Sequence, residues 1–306
     1  MAYSESLKEF HGLPVQDYNA TKDCWNGPKV AYRLREEWDD DMSITDRLEA
    51  LLDEDGADQL TSLIIGAWSS AGEGDDSKAV IDKLCENASR LPALRHLFLG
   101  EMTYEECEIS WINQSDVSPL LNAFPGLQSL HVRGATGLSF SRATHSELKM
   151  LVIESGGLPR SVLRELFLCD FPELEHLELL LGTEDYGFDG DVTDLQPVLS
   201  GRLYPKLKYL GLRNSTIANE IAAVVVHSPI VERISELDLS LGTLDDAGVQ
   251  SLMGLSERGN LSKLNISHHY ASAPLVLELK AALPFEVDAS DPQEAEDDWR
   301  PVLHAE

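Results

Sequence analysis

Eight times the chain writes the pattern LxxLxL or a close equivalent: LTSLII, LRHLFL, LQSLHV, LKMLVI, LEHLEL, LKYLGL, ISELDL and LSKLNI. The central position is leucine in every copy: Leu63, Leu97, Leu130, Leu151, Leu177, Leu210, Leu237 and Leu264. All 24 template positions are apolar. The overall apolar share of 43% would fill only about ten of them by chance. The closing LxL alternates with period two, so its leucines point to one face of a short strand. A chain with this constraint cannot fold as one closed layer. Each copy makes a thin slice whose leucines are sheltered only by the next slice.

Between the copies the apolar period lengthens to that of a helix. Val80, Leu84, Cys85 and Ala88 form one such stripe. Val162, Leu163, Leu166 and Phe167 form another after Pro159, a favourable first-turn residue. Ile217, Ile221, Val224 and Val225 form a third, and Val249, Leu252 and Met253 a fourth. The central leucines are spaced 34, 33, 21, 26, 33, 27 and 27 residues apart. The short unit from Leu130 to Leu151 has no helical stripe, which predicts an extended or 3-10 segment there. The expected fold is therefore α/β: a leucine-rich-repeat solenoid, or horseshoe, with a parallel concave sheet of about eight strands and a mostly helical convex side. Residues 1–59 are expected to cap it, with a strand in VAYRLRE and a helix on Ile44, Leu48, Leu51 and Leu52. The solenoid proper spans 60–288 and ends in a helix, LVLELKAAL, and a strand in PFEVDAS. Residues 289–306 form an acidic tail expected to be mobile.

Charge narrows the partners. With 24 basic against 53 acidic side chains the net charge is −29, which repels phosphate backbones and argues against nucleic acid. No basic n-region with an apolar run opens the chain, and no apolar stretch approaches the ~20 residues of a membrane span. The four cysteines, Cys24, Cys85, Cys107 and Cys169, form no CxxC and read as free thiols of a cytoplasmic protein.

These features resemble the leucine-rich-repeat family, in particular its helix-bearing, ribonuclease-inhibitor-like class. LDLSLGTLDDAGVQSL is similar to the L-x-L-x-x-N-x-[IL]-x-D-x-G-[AV]-x-x-L unit of that class. FHGLPV, YEECEISWINQSDVSPLL, ESGGLP, LGTEDYG, LKYLGLRNS and LDLSLGTL are similar to stretches of a family of bacterial cytoplasmic leucine-rich-repeat proteins. That resemblance supplies no catalytic residues. It implies a helper role beside small biosynthetic enzymes. One feature departs from the general pattern. Five residues past the central leucine, where Asn or Cys is usual, stand Trp68, Met102, Ala135, Gly156, Gly182, Ser215, Gly242 and His269. Small residues at five of these predict close-packed turns held by backbone or water.

Residues flanking the inner leucines face away from the core. In these columns Glu154, Glu178, Glu236 and Asp238 meet Arg133, Arg213 and Lys263, a nearly neutral balance. The excess acid lies elsewhere, in WDDD at 38–41, EGDD at 73–76, EDYGFDGD at 184–191 and the tail. His96, Phe98, His131, Arg133, His176, Tyr209 and Arg213 are the candidate interface residues, since tyrosine and arginine combine apolar area with directed hydrogen bonds. YEECEISWINQSD, residues 104–116, reads either as a recognition loop or as a loop pinned to the core by Ile109 and Trp111 with Ser115 capping a helix, and the second reading is preferred. His268 and His269 could ligate a metal, but no carboxylate or cysteine spacing completes a site, and no cofactor or metal is expected. No nucleotide-binding or hydrolase motif occurs. The expectation is a non-catalytic scaffold for a protein or peptide, with an accessory or substrate-presenting subunit of a biosynthetic enzyme cluster as the alternative.

Overall fold

A computed structural model describes residues 3–20, 25–36, 41–68, 74–257, 260–297 and 299–305. Cys24, the 38–40 part of the WDDD run and Glu73 lie outside the described residues. The chain divides into two compact units. The first runs to residue 154 and includes 168–171; the second comprises 155–167 and 172–305.

The first unit holds strands β1 (Glu9–Phe10), β2 (Leu13–Asp17), β3 (Ala31–Leu34), β4 (Ser62–Ile65), β5 (His96–Leu99), β6 (Ser129–Arg133) and β7 (Met150–Glu154). Its helices are α1 (Ile44–Leu52), α2 (Lys78–Glu86) and α3 (Ser118–Ala123). β1 and β2 form an antiparallel hairpin, and from β2 to β7 the pairing is parallel and sequential. The second unit holds α4 (Arg160–Leu166), β8 (His176–Gly182), α5 (Gln196–Leu199), β9 (Tyr209–Ser215), α6 (Ala218–Val225), β10 (Glu236–Asp238), α7 (Asp246–Leu252), β11 (Lys263–Asn265), α8 (Ala273–Ala282) and β12 (Glu286–Asp288). Its strands β8 to β12 are again parallel and sequential. Each unit is thus a stack of leucine-rich-repeat-like slices in a mixed α/β fold. Of the twelve strands among the described residues, eight carry the leucine pattern, β3 and β12 fall in the expected VAYRLRE and PFEVDAS stretches, and β1 and β2 add pairing beyond what was expected.

The leucine register sets this arrangement. Leu63 pairs with Leu97, Leu97 with Leu130 and Leu130 with Leu151. In the second unit Leu177, Leu210, Leu237 and Leu264 align in the same way. Every one of the 24 template residues is buried, none more than 6% exposed. A parallel sheet must cover this face, and the helices do so, each against its neighbour: α1 on α2, α2 on α3, α6 on α7, α7 on α8. α1 starts as its sequence dictates, with the Ser43 side chain accepting the Asp46 amide at 3.2 Å and Ile44, Leu48, Leu51 and Leu52 buried.

The short repeat between β6 and β7 has no helix, as its composition predicts. Its back is built from parallel bridges, Asn113 to Thr136, Asp116 to Ser139 and Thr144 to Asp170. His145 pins it: Nε2 donates to the Phe124 carbonyl at 3.0 Å, and Nδ1 accepts the Glu147 amide at 3.3 Å. The ring is thereby buried and fixed in place. In the close-packed turns, backbone replaces the asparagine ladder. The Thr183 amide donates to the Gly156 carbonyl at 2.8 Å, and a Cβ at Gly182 would meet that oxygen at 1.8 Å. Gly182 also has a φ of 76°, so only glycine serves there.

Three expectations are corrected. Ser115 does not cap α3; its hydroxyl meets that of Ser77 at 3.0 Å, and Asp116 instead accepts the Ser118 amide at 2.9 Å. Ile109 pins the 104–116 loop, being 3% exposed, while Trp111 is 59% exposed and pins nothing. The described part of the acidic tail packs on the second unit instead of hanging free. Val302 and His304 are buried, and the buried Asn214 side chain exchanges two hydrogen bonds with the His304 backbone, at 2.5 and 2.9 Å. Two well-placed polar contacts and an apolar anchor outweigh the acidic composition of the segment.

Candidate functional site

The sheet face opposite the leucines differs between the units. In the first unit it is roofed by the chain's own start. Phe10 and Leu13 flank a two-residue turn, His11–Gly12, whose φ values of 48° and 76° are both positive, as a tight hairpin requires. The hairpin lays Phe10 onto Ala31, Ile64 and Phe98, with Leu7, Leu13 and Val15 packed around them. Burying a side chain of this size contributes about 1.5–3 kcal/mol. Polar ties hold the strap in place. The Leu7 amide donates to Glu101 Oε1 at 2.7 Å, and the Tyr104 amide to the Tyr3 carbonyl at 2.8 Å. Glu101 also meets Arg33 Nη1 at 3.0 Å, and Arg33 reaches Asp17 at 2.7 Å.

Aromatic rings assemble under this strap. His11 stacks on His96 with centroids 3.8 Å apart, and its Nε2 lies 2.9 Å from the Ser129 hydroxyl. His131 stands edge-on to Phe10 at 5.4 Å, and its Nε2 is 3.3 Å from the Met150 sulfur. Burial, with His11 and Arg95 nearby, pushes the His96 imidazole down to about 4, and burial also lowers His11. Arg133 donates to Glu154 Oε2 at 2.6 Å and to the Met102 carbonyl at 2.6 Å, with the Tyr3 ring 3.6 Å from its guanidinium carbon. A cavity of about 380 Å3 remains between strap and sheet.

In the second unit the same face carries a polar ladder. His176 stacks on Tyr209 with centroids 3.9 Å apart and planes 3° from parallel, and its Nε2 meets Glu178 Oε2 at 3.2 Å. Arg213 Nη1 donates to the other Glu178 oxygen, while its Nε donates to the Ser240 hydroxyl at 3.0 Å. Asp238 Oδ2 accepts from Tyr209 at 2.9 Å and from Asn265 at 2.9 Å. Burial raises the Glu178 carboxyl, but the His176 hydrogen bond and the Arg213 charge outweigh it and hold the group below the usual carboxylate range. Burial and the neighbouring carboxylates push the Tyr209 phenol up, so it stays a hydrogen-bond donor. All seven charged residues of the face columns are paired: Glu154 with Arg133, Glu178 and Asp238 with Arg213, and Glu236 with Lys263.

The seven candidate interface residues therefore fall into two groups. His176, Tyr209 and Arg213 lie together and are partly exposed. Phe98 and Arg133 are buried at 2% and 3% exposure, and His96 and His131 sit half-buried beside the strap. The outward direction of these side chains follows from the strand period. What that period does not carry is the cover: Tyr3, Leu7, Phe10 and His11 reach the sheet from about a hundred residues away in sequence. Their one local signal is the His-Gly turn between apolar positions. His268, considered for a metal, has Nδ1 3.2 Å from Asp291 Oδ2. Among the described residues no group of three or more His, Cys, Asp and Glu is placed to hold a metal ion. Among them, too, no helix is long and apolar enough to cross a membrane. Burial, followed by adjacent acids, pushes the free thiols Cys85 and Cys107 up to about 11, so neither is poised as a nucleophile.

No protein-family model matches the chain, and no curated protein does. Among solved structures, a Bacteroides fragilis protein determined as a structural-genomics target is similar over 90% of this chain and 78% of its own, with 33% identity and a TM-score of 0.83. An internalin of Listeria monocytogenes aligns over 85% of this chain and 81% of its own at 15% identity, with a TM-score of 0.29, a superposition too loose to build on.

Proposed function

This chain belongs to the same family as the Bacteroides fragilis protein, and from that premise we propose that it is a non-catalytic scaffold that binds another protein or a peptide. Its slices are read as a leucine-rich-repeat solenoid in which leucines hold the frame and the opposite face is free to vary. The contact surface is the polar ladder of the second unit. One observation carries this reading: His176, Tyr209 and Arg213 are partly exposed yet tied to one another by stacking and by hydrogen bonds to Glu178 and Asp238. Side chains ordered before contact lose little conformational entropy on binding, and tyrosine and arginine are the residue types that anchor interfaces. The ladder also suits recognition better than catalysis. A general base works best with a pKa near the operating pH, and the His176 hydrogen bond and the Arg213 charge hold Glu178 low.

The test is affinity capture with the full chain, followed by direct titration of the captured partner against purified protein. Tyr209→Ala and Arg213→Ala are each expected to weaken binding by about 30-fold, the loss typical of an interface anchor. Lys206→Ala, outside the ladder, should leave it unchanged. A partner that binds both ladder variants as tightly as the parent overturns the assignment.

A further inference from the structure

We propose that the cavity of the first unit binds an organic cation: a primary ammonium or guanidinium group on a short apolar stem. The cavity lies in a different unit from the ladder, so the inference does not depend on the scaffold reading.

At about 380 Å3 the space is within the range of small-ligand sites. Its walls are apolar and aromatic: Leu7 and Phe10 from the strap, and Phe98, His131 and Met150 from the sheet. The rings of Phe10 and Phe98, with centroids 6.0 Å apart, are almost wholly buried and close the apolar side of the space, so a desolvated charge is left to the carboxylate at its rim. Beside Tyr3, His11 and His131, the charged part of the lining is mainly acidic, with Glu5, Glu9 and Glu154 against Arg133.

Arg133 is not available to a ligand. It is buried at 3% exposure, committed to Glu154 and the Met102 carbonyl, and covered by Tyr3. An anionic ligand would thus find no free positive partner and would enter against a chain of net charge −29. Glu5 carries Lys8 at 2.7 Å on the outside. Glu9 is exposed on β1, and no ion pair is recorded for it among the described residues. A cation entering past Glu9 would keep its charge near this carboxylate while its stem replaces water against Phe98 and Met150. The free amine of a metabolite and the lysine or arginine side chain of a protein share this chemistry.

Isothermal titration of the full chain at low salt tests the idea with four probes. Butylammonium and Nα-acetyl-lysine methylamide carry the charge; butanol and Nα-acetyl-norleucine methylamide are their neutral counterparts. At least one cation is expected to bind about tenfold more tightly than its neutral counterpart, through its attraction to the rim carboxylate. Glu9→Gln, at an exposed position that leaves the fold intact, should weaken that cation about threefold or more and leave the neutral probes unaffected. Met150→Trp, which fills the space, should abolish binding while the melting temperature confirms folding. Binding of butylammonium alone points to a free amine, and binding of the lysine derivative alone to a side chain. Failure of both cations to bind, equal binding of the neutral probes, or cation affinity unchanged in Glu9→Gln overturns the proposal.

Discussion

The same sheet face is finished in two ways. In the first unit, residues from Tyr3 to Gly12 fold over it, and its outward-facing Phe98 and Ile64 are as dry as the leucines behind them. In the second, the face is left partly open and made compatible with water by pairing every charge on it. One unit thus hides an apolar surface with its own chain, and the other presents a polar surface already rigid. A regular frame of buried leucines tolerates both, because neither solution touches the core side of the strands.

The contrast can be broken most forcefully at Glu101. Its carboxylate holds both Arg33 and the Leu7 amide in a buried position. Glu101→Leu leaves a buried guanidinium short of a partner and cuts the strap loose, which should cost about 3–5 kcal/mol in urea unfolding. Amide exchange should accelerate in the strap and β3 and remain unchanged in β8 to β10. The opposite pattern would mean that the strap is ornamental.

Acid sharpens the comparison next. The His96 imidazole is held down to about 4 in the folded chain, against an unfolded value near 6.5. Between these values the unfolded chain binds the extra proton, so the first unit loses stability as pH falls from about 6.5 toward 4. Glu178 is lowered, so its contribution is complete above its unfolded carboxylate value and is lost only as pH falls below that. On acidification, amide exchange should therefore report loosening around β5 before β8. Simultaneous loosening would count against the buried imidazole as the cause.

Smaller effects are expected on the open face. Arg213→Met removes the partner of the half-buried Glu178 and should cost about 1–3 kcal/mol in thermal or urea unfolding. Lys263→Ala removes an exposed pair with Glu236 and should cost less than about 1 kcal/mol. If the two losses are equal, the ladder is no better ordered than ordinary surface.

The frame was legible because its information is local. A period of two in LxL and a longer period between copies place the strands β4 to β11 and most helices, and even the helix-free slice after Leu130 shows in its composition. The strap was not legible in the same way. Leu7 finds Glu101, and His11 finds Ser129, across separations of 94 and 118 residues, and no periodicity encodes such pairs. Of the candidate site, Tyr209, His176 and Arg213 could be read from strand direction. Their mutual locking through Glu178 and Asp238 depends on diagonal neighbours on adjacent strands. The tail misled for a compositional reason: its many acids outnumber Val302 and His304, yet these two residues and Asn214 decide where it lies.

The hairpin at His11–Gly12 spans only two residues, and Phe10 faces Leu13 directly across it. Side chains alternate along a strand, so slipping β1 by a single residue against β2 would turn Phe10 to the solvent side and uncover Ile64 and Phe98. Whether the first unit shows the world a greasy patch or a sealed one therefore turns on the register of one short hairpin, a choice one residue wide.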